Sequence, residues 1–289
     1  MTDLATYRPD LLRHCYRMLG SFADAEDLVQ DVLVKALQAK DSYRGDAPLE
    51  HWLMRIATNA CLNELARRAR RGLPHLDGAP GSDPATLVEG EVGQWLTPAL
   101  DTQLFATPQQ ALELRESVAI AFLALLQRLP PKQRAAVLLK DVVGWTAENI
   151  AEALELTLAA VNSALFRARE TLAGKPAPSE DPPPAVLREY IRTWEERDVD
   201  GLVALLRADV TLSMPPFATW FHGKDAVAAF LRGPAFAPRW ALGFRAEPVR
   251  ANGRLALAFS RPTGGPTTSI QFVDVADGRV VSMLSFIRA

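Results

Sequence analysis

The stretch from Leu129 to Leu172, LPPKQRAAVLLKDVVGWTAENIAEALELTLAAVNSALFRARETL, limits the possible fold more than any other part of the chain. It reads as two helices joined by a tight turn. Leu158, Val161, Leu165, Ala168 and Leu172 recur at helical spacing and form one apolar face of the second helix. Asn162, Ser163, Arg167 and Arg169 fall on the other side, an arrangement that suits a helix lying in a DNA major groove. Thr157 is placed to N-cap this helix and Thr146 the one before it. The same pattern fits two packed helices with a solvated polar face, so this segment alone leaves both readings open.

A second segment, SYRGDAPLEHWLMRIATNACLNELARRARRGLP from Ser42 to Pro74, is basic and aromatic in a different way. A turn-rich loop carrying Arg44 leads into a helix bearing Trp52, Ile56, Asn59, Ala60 and Asn63. That helix ends in Arg67, Arg68, Arg70 and Arg71, like charges that repel in solution and are relieved opposite phosphate. Asn59 and Asn63 near the Trp52 indole supply what base reading or stacking needs. A core tryptophan beneath a solvated arginine tail is the competing reading for Trp52.

Upstream, SFADAEDLVQDVLVKALQAK has a clear helical period. Ala25, Leu28, Val29, Val32, Leu33, Ala36 and Leu37 make one apolar face. Ser21 and Asp24 resemble a capping box. Asp24, Asp27, Gln30 and Asp31 line the far side with Val34. The helix dipole accounts for acids in the first turn. Asp31 lies further in, and the strip reads equally as a solvated face or a protein-docking surface.

Taken in order, these three segments resemble the extracytoplasmic-function sigma factors of bacterial RNA polymerase, with their second and fourth conserved regions. The resemblance covers roughly residues 1–173. It implies that the DAEDLVQDV helix, through Asp24, Asp27, Gln30 and Asp31, docks on the polymerase core. By the same resemblance Arg44, Trp52, Asn59, Asn63 and the arginine cluster open and read the minus-ten promoter element. Asn162, Ser163, Arg167 and Arg169 would read the minus-thirty-five element. Two residues depart from the family pattern: Asn149 stands where Glu is usual, and Glu155 where the turn usually has Gly.

Lys plus Arg number 32 and Asp plus Glu 34, a formal net charge of −2, whereas a free-standing DNA binder usually carries a basic excess. Promoter affinity should therefore be weak without a large partner. The positive charge is local, at Arg67–Arg71 and around Lys132, Arg134 and Lys140. With 289 residues the chain is long enough for more than one domain. Residues 74–110 are rich in Pro, Gly and acids and read as a flexible connector, with Trp95 and Leu96 as apolar outliers. Residues 174–184 form a stiffer, proline-rich linker. No apolar run approaches the roughly twenty residues of a membrane span, and the start lacks a signal-peptide pattern. A cytoplasmic protein that does not engage membranes is expected. Cys15 and Cys61 sit on apolar helical faces as core residues. The histidines show no ligand spacing, so neither a metal nor a cofactor is expected.

Residues 185–289 change character. A helix with a break near Asp200-Gly201 precedes a short strand at Val210–Met214 and a helix at Lys224–Leu231. Two hairpins follow, turning at Asn252-Gly253 and Asp277-Gly278. The order resembles the cone-shaped SnoaL-like α+β fold, which implies a cavity for a small molecule. Trp194, Met214, Trp220, His222 and Phe286 are the candidate lining. His222 and Asp209 are the local acid/base candidates, without an evident partner.

The expected architecture is thus multidomain: all-α sigma domains at 1–73 and 111–173, the second with the helix-turn-helix, and an α+β SnoaL-like domain at 185–289. The expected function is promoter-specific initiation with polymerase core and promoter DNA, tuned in cis by the third domain packing over part of the DNA- or polymerase-binding surface. A one-component regulator with a ligand-sensing domain, and a moonlighting enzyme in the third domain, are the alternatives.

Overall fold

The computed structural model describes residues 4–39, 43, 45, 47–68, 70–91, 93–173, 180–234 and 236–288. The chain forms two compact units, one from Met1–Arg71 with Asp101–Pro178 and the other from Gly72–Leu100 with Ser179–Ala289.

The first unit is helical: α1 (Arg8–Leu19), α2 (Phe22–Gln38), α3 (Leu49–Leu65), α4 (Pro108–Val118), α5 (Ile120–Arg128), α6 (Pro131–Val137), α7 (Ala147–Leu154) and α8 (Leu158–Leu172). A π-helical turn at Leu138–Val142 extends α6. Gly20 stops α1 in the left-handed conformation, and Ser21 at once caps α2 by accepting from the Asp24 N–H. Thr146 and Thr157 cap α7 and α8 in the same way, as their positions predict. The turn between those helices places Glu155 at φ 52°, ψ 52°. A residue with a Cβ is strained there.

In the second unit α9 (Pro184–Glu195) and α10 (Val199–Leu205) precede β1 (Leu206–Ser213), β2 (Trp220–His222), α11 (Lys224–Arg232) and α12 (Ala237–Ala241). Then come β3 (Arg245–Ala251), β4 (Arg254–Ser260), β5 (Ser269–Ala276) and β6 (Arg279–Ile287). The sheet order is β2-β1-β6-β5-β4-β3, with β1 and β6 parallel and the other neighbours antiparallel. Both expected hairpins form, and both turn pairs have positive φ, at 49° and 76° for Asn252-Gly253 and 53° and 71° for Asp277-Gly278. Pro248 is tolerated because β3 is an edge strand.

The break between α9 and α10 falls earlier than expected. Arg197 takes the left-handed conformation, and the Asp198 carboxylate caps α10 by accepting from the Gly201 N–H at 2.7 Å. Gly201 is helical and serves that cap by standing close, since a Cβ there would lie 2.1 Å from the Asp198 carboxylate.

Residues 74–110 depart most from the sequence expectation of a flexible connector. Trp95, Leu96 and Ala99 are buried. The Ala218 N–H donates to Val88 O at 2.7 Å, the Gly90 N–H to Pro216 O at 2.8 Å, and the Trp95 indole to the same carbonyl at 2.8 Å. The Asn252 side chain accepts from the Ala99 N–H at 2.9 Å while its own N–H donates to Ala99 O at 3.0 Å. A polar, proline-broken segment with little period is thereby ordered through its backbone, which a composition reading does not detect. From Asp101 onward the chain belongs to the first unit, and α4 begins at Pro108, inside the stretch expected to be loose. Most of the second linker, residues 174–179, lies outside the described residues.

Two outcomes follow. Glu155→Gly relieves the left-handed strain and should stabilise the chain by about 1 kcal/mol, read as a raised denaturant midpoint. Asn252→Gly keeps the turn but removes the amide that grips Ala99. Amide exchange across 81–99 should speed up while β3 and β4 keep their protection.

Candidate polymerase and nucleic-acid interface

Helix α2 buries Ala25, Val29, Val32 and Ala36 and leaves Asp27, Gln30 and Asp31 exposed on the opposite side. Val34 and Leu37 flank that acidic strip at 52% and 61% exposure, so it is amphipathic and not merely solvated. Asp24 does not belong to it. Its carboxylate pairs with Arg68 and, at 2.5 Å, with Arg71.

That pairing also corrects the reading of the arginine cluster. Arg71 is buried, donates to Leu19 O at 2.9 Å and is neutralised by Asp24. Arg68 is shared between Asp24 and Glu64. Arg70 lies near enough to Arg134 for its charge to be felt there, while Arg67 is exposed. The cluster is therefore not a row of four free phosphate contacts; the repulsion expected from sequence is relieved by acids folded against it. Arg44 lies outside the described residues.

Helix α3 turns Leu53, Met54, Ala57, Thr58 and Cys61 inward. Trp52, Arg55 and Asn59, three and four residues apart, share the other face, and Asn63 is exposed one turn on. Trp52 stands half-buried against Tyr43, ring centroids 5.4 Å apart. This face looks onto the helix-turn-helix across a cavity of about 440 Å³ that Trp145, Asn149 and Glu152 also line. The His51 and Trp145 rings lie 4.6 Å apart, and Arg55 pairs with Glu152 at 3.2 Å.

On α8, Asn162 and Arg167 are exposed, with Arg167 steadied by Ser163 Oγ at 3.0 Å. Arg169 is tied to Asp141 at 2.5 Å. Phe166 stands 65% exposed between them, an apolar residue that the polar-face reading did not single out.

Three buried arginines hold these elements together. Arg134 is 2% exposed and donates to Met18 O, to Gln127 Oε1 at 2.6 Å and to Leu129 O at 3.2 Å. The sequence groups it with Lys132 and Lys140 in a basic patch, and the structure puts it in the core. Arg17 donates to Ser117 O at 3.0 Å and Arg13 to Leu104 O at 2.7 Å. Burial brings Arg134 down to about 10, and burial with the neighbouring Arg13 charge brings Arg17 to about 9. Between Arg13 and Arg17, His14 meets Thr58 Oγ1 at 2.9 Å. Burial, then the charge of Arg17, lowers its pKa to about 3, so its ring is neutral. The buried thiols of Cys15 and Cys61 lie within hydrogen-bonding range, and burial raises Cys61 well above the usual thiol value.

The second unit contains a cavity of about 270 Å³ lined by Trp194 and Met214, as expected, but not by the other three candidates. Trp220 donates its indole N–H to Gly78 O at 3.0 Å. His222 is exposed on β2, and Asp209 is paired with Arg207 at 2.5 Å, which holds its carboxyl below the usual range. Phe286 is buried edge-on against Phe272, while its neighbours Ser285 and Ile287 line the cavity. Among the described residues no group of acids, histidines and cysteines could hold a metal, and no helix is long and apolar enough to cross a membrane.

The chain matches the family models for sigma-70 region 2 over residues 4–71, sigma-70 region 4 over 119–172, and a SnoaL-like domain over 187–283. It is 40% identical over 295 aligned positions to the ECF RNA polymerase sigma factor SigG of Mycobacterium tuberculosis, covering 97% of this chain and 79% of that one. The chain belongs to the ECF sigma factors. SigJ of Mycobacterium tuberculosis is 29% identical over 81% of this chain and 72% of its own length. A crystal structure of SigJ superposes with a TM-score of 0.59 at 21% identity, covering 99% of this chain and 96% of that one, and so shares the fold.

As an ECF sigma factor the chain directs promoter-specific initiation with RNA polymerase core. The arginine–carbonyl clasp in this sigma factor was missed from sequence. Its signal is LLRHCYRML, a helix apolar on nearly every side whose arginines at 13 and 17 have no surface to occupy.

His14 gives a test. Its folded pKa lies below the unfolded value of 6.5, so its contribution is complete above pH 6.5 and declines as pH falls towards 3. The loss should approach about 1.4 kcal/mol per pH unit. Urea midpoints of His14→Gln across that range should fall less steeply than those of the parent.

Proposed function

We propose that the described form of this sigma factor is a closed one, in which the promoter-reading face of region 2 is partly covered by the helix-turn-helix of region 4. One observation carries the reading: Trp52, Arg55 and Asn59 share a cavity with Trp145, Asn149 and Glu152. Asp27, Gln30 and Asp31, with Val34 and Leu37, stay exposed and would engage polymerase first. Separation of the two regions would then present Trp52, Asn59, Asn63 and Arg67 to the minus-ten element and Asn162, Ser163 and Arg167 to the minus-thirty-five element. Arg68, Arg71 and Arg169 are left in structural roles by their carboxylate partners.

The closing contacts suit a reversible device. The Arg55–Glu152 pair is exposed, and such pairs contribute about 0.2–1 kcal/mol. The buried arginines bond to carbonyls, which water replaces on opening.

In this reading the third domain acts in cis by holding the segment that joins regions 2 and 4. Every hydrogen bond that orders 78–99 against Pro216–Trp220 and Asn252 shortens the free length available for regions 2 and 4 to part. The domain acts as a receptor, with a cavity walled by aromatic side chains and edged by Arg239, Arg261 and Arg288. The chain works in the cytoplasm, beside the polymerase.

The test is a reducible cross-link. Arg55→Cys with Glu152→Cys is joined by a thiol-cleavable bismaleimide and assayed for promoter-specific transcription with purified core. Output should fall at least about tenfold and recover on cleavage, because one tenfold step corresponds to only about 1.4 kcal/mol of opening. Full output from the linked protein would overturn the closed-form reading.

A further inference from the structure

The cavity of the second unit is chemically one-sided. Trp194, Phe230, Phe236, Phe244 and Phe259 make an aromatic wall, with Trp194 edge-on to Phe236, Phe244 and Phe259 at 5.1 to 6.0 Å. The sheet side adds Gln271, whose amide donates to Ser285 Oγ at 2.6 Å and accepts from the Tyr190 hydroxyl at 2.7 Å. Arg239, Arg261 and Arg288 stand at the opening.

One observation calls for an occupant: the charge. In this unit Arg192, Arg207, Arg232, Arg245, Arg250 and Arg254 each pair with a carboxylate, while Arg188, Arg197 and Arg279, away from the cavity lining, have no carboxylate partner among the described residues. Arg239, Arg261 and Arg288 do not pair among the described residues, and no Asp or Glu lines the cavity. Arg239 rests on the Phe217 ring instead. Three uncompensated guanidinium groups around one apolar opening focus a positive potential into it.

We infer that this cavity is a receptor site for a small aromatic carboxylate, its rings against the Trp194 and phenylalanine wall and its carboxylate at the arginine rim. The volume of about 270 Å³ lies near the lower end for ligand pockets and suits two fused rings. Guanidinium groups match a carboxylate with two parallel hydrogen bonds, which sets this class apart from neutral aromatics. The wall that touches the ligand continues into the holding loop, because Leu212 and Met214 line the cavity and Pro216 grips Gly90 and Trp95. The binding claim does not rest on the closed form proposed above.

The full-length protein is titrated calorimetrically with naphthalene-2-carboxylate and with naphthalene-2-carboxamide, its uncharged counterpart. The carboxylate should bind at least about tenfold more tightly, the margin a charge-assisted pair supplies over a neutral one. Arg261→Gln with Arg288→Gln, exposed side chains without a partner among the described residues, should reduce the carboxylate to the affinity of the amide and leave the amide unchanged. Ser269→Trp, which fills the opening, should abolish both. Equal affinities, a preference that survives loss of both arginines, or no binding of either probe at millimolar concentration would overturn the inference.

Discussion

Buried guanidinium groups bonded to main-chain carbonyls hold the helical unit together. Arg13, Arg17 and Arg134 reach Leu104, Ser117 and Met18, joining the first helix to elements about a hundred residues away in sequence. A charge is kept out of water here because each fork meets several acceptors, and removing them would leave a buried cation without compensation. Such contacts impose a strict geometry while adding little net stability, because the same donors and acceptors are satisfied by water once separated. An apolar seam of the same area would hold harder and release less readily.

The α+β unit uses the complementary strategy. Its core is a dense aromatic set centred on Trp194, and its sheet carries the edge strand and loop that hold 78–99. Most of the bonds that order the segment involve backbone atoms, and the buried side chains of Trp95, Leu96 and Ala99 add apolar anchors to them. Asn252 does two things at once: it supplies the left-handed residue that the β3–β4 turn requires, and its amide and backbone bracket Ala99.

Local features were the most legible in the sequence. The turns at Asn252-Gly253 and Asp277-Gly278 and the caps at Ser21, Thr146 and Thr157 depend on a few adjacent residues, and each forms where its chemistry puts it. Pairings between distant segments were not legible. Nothing near Arg71 in sequence reveals that Asp24 will sit opposite it, so a cluster that is half internal reads as a uniform basic surface. The same holds for Arg134, which looks like part of a patch with Lys132 until Met18 is brought against it. Phe286 failed for a different reason. Strand residues alternate between faces, so choosing the aromatic over its neighbours Ser285 and Ile287 put the expected lining on the wrong side of the sheet.

The order of the chain adds a consequence in time. Trp95 and the Pro216 carbonyl that receives its indole stand 121 residues apart, with the whole of the helix-turn-helix encoded between them. At roughly 5–20 residues per second, the ribosome delivers the segment on the order of ten seconds before the surface that captures it. For that interval the newborn polypeptide has both promoter-reading regions, and the stretch between them is unclaimed. Capture therefore begins only near the end of synthesis, and a message cut short after Leu172 would yield a protein that never acquires it.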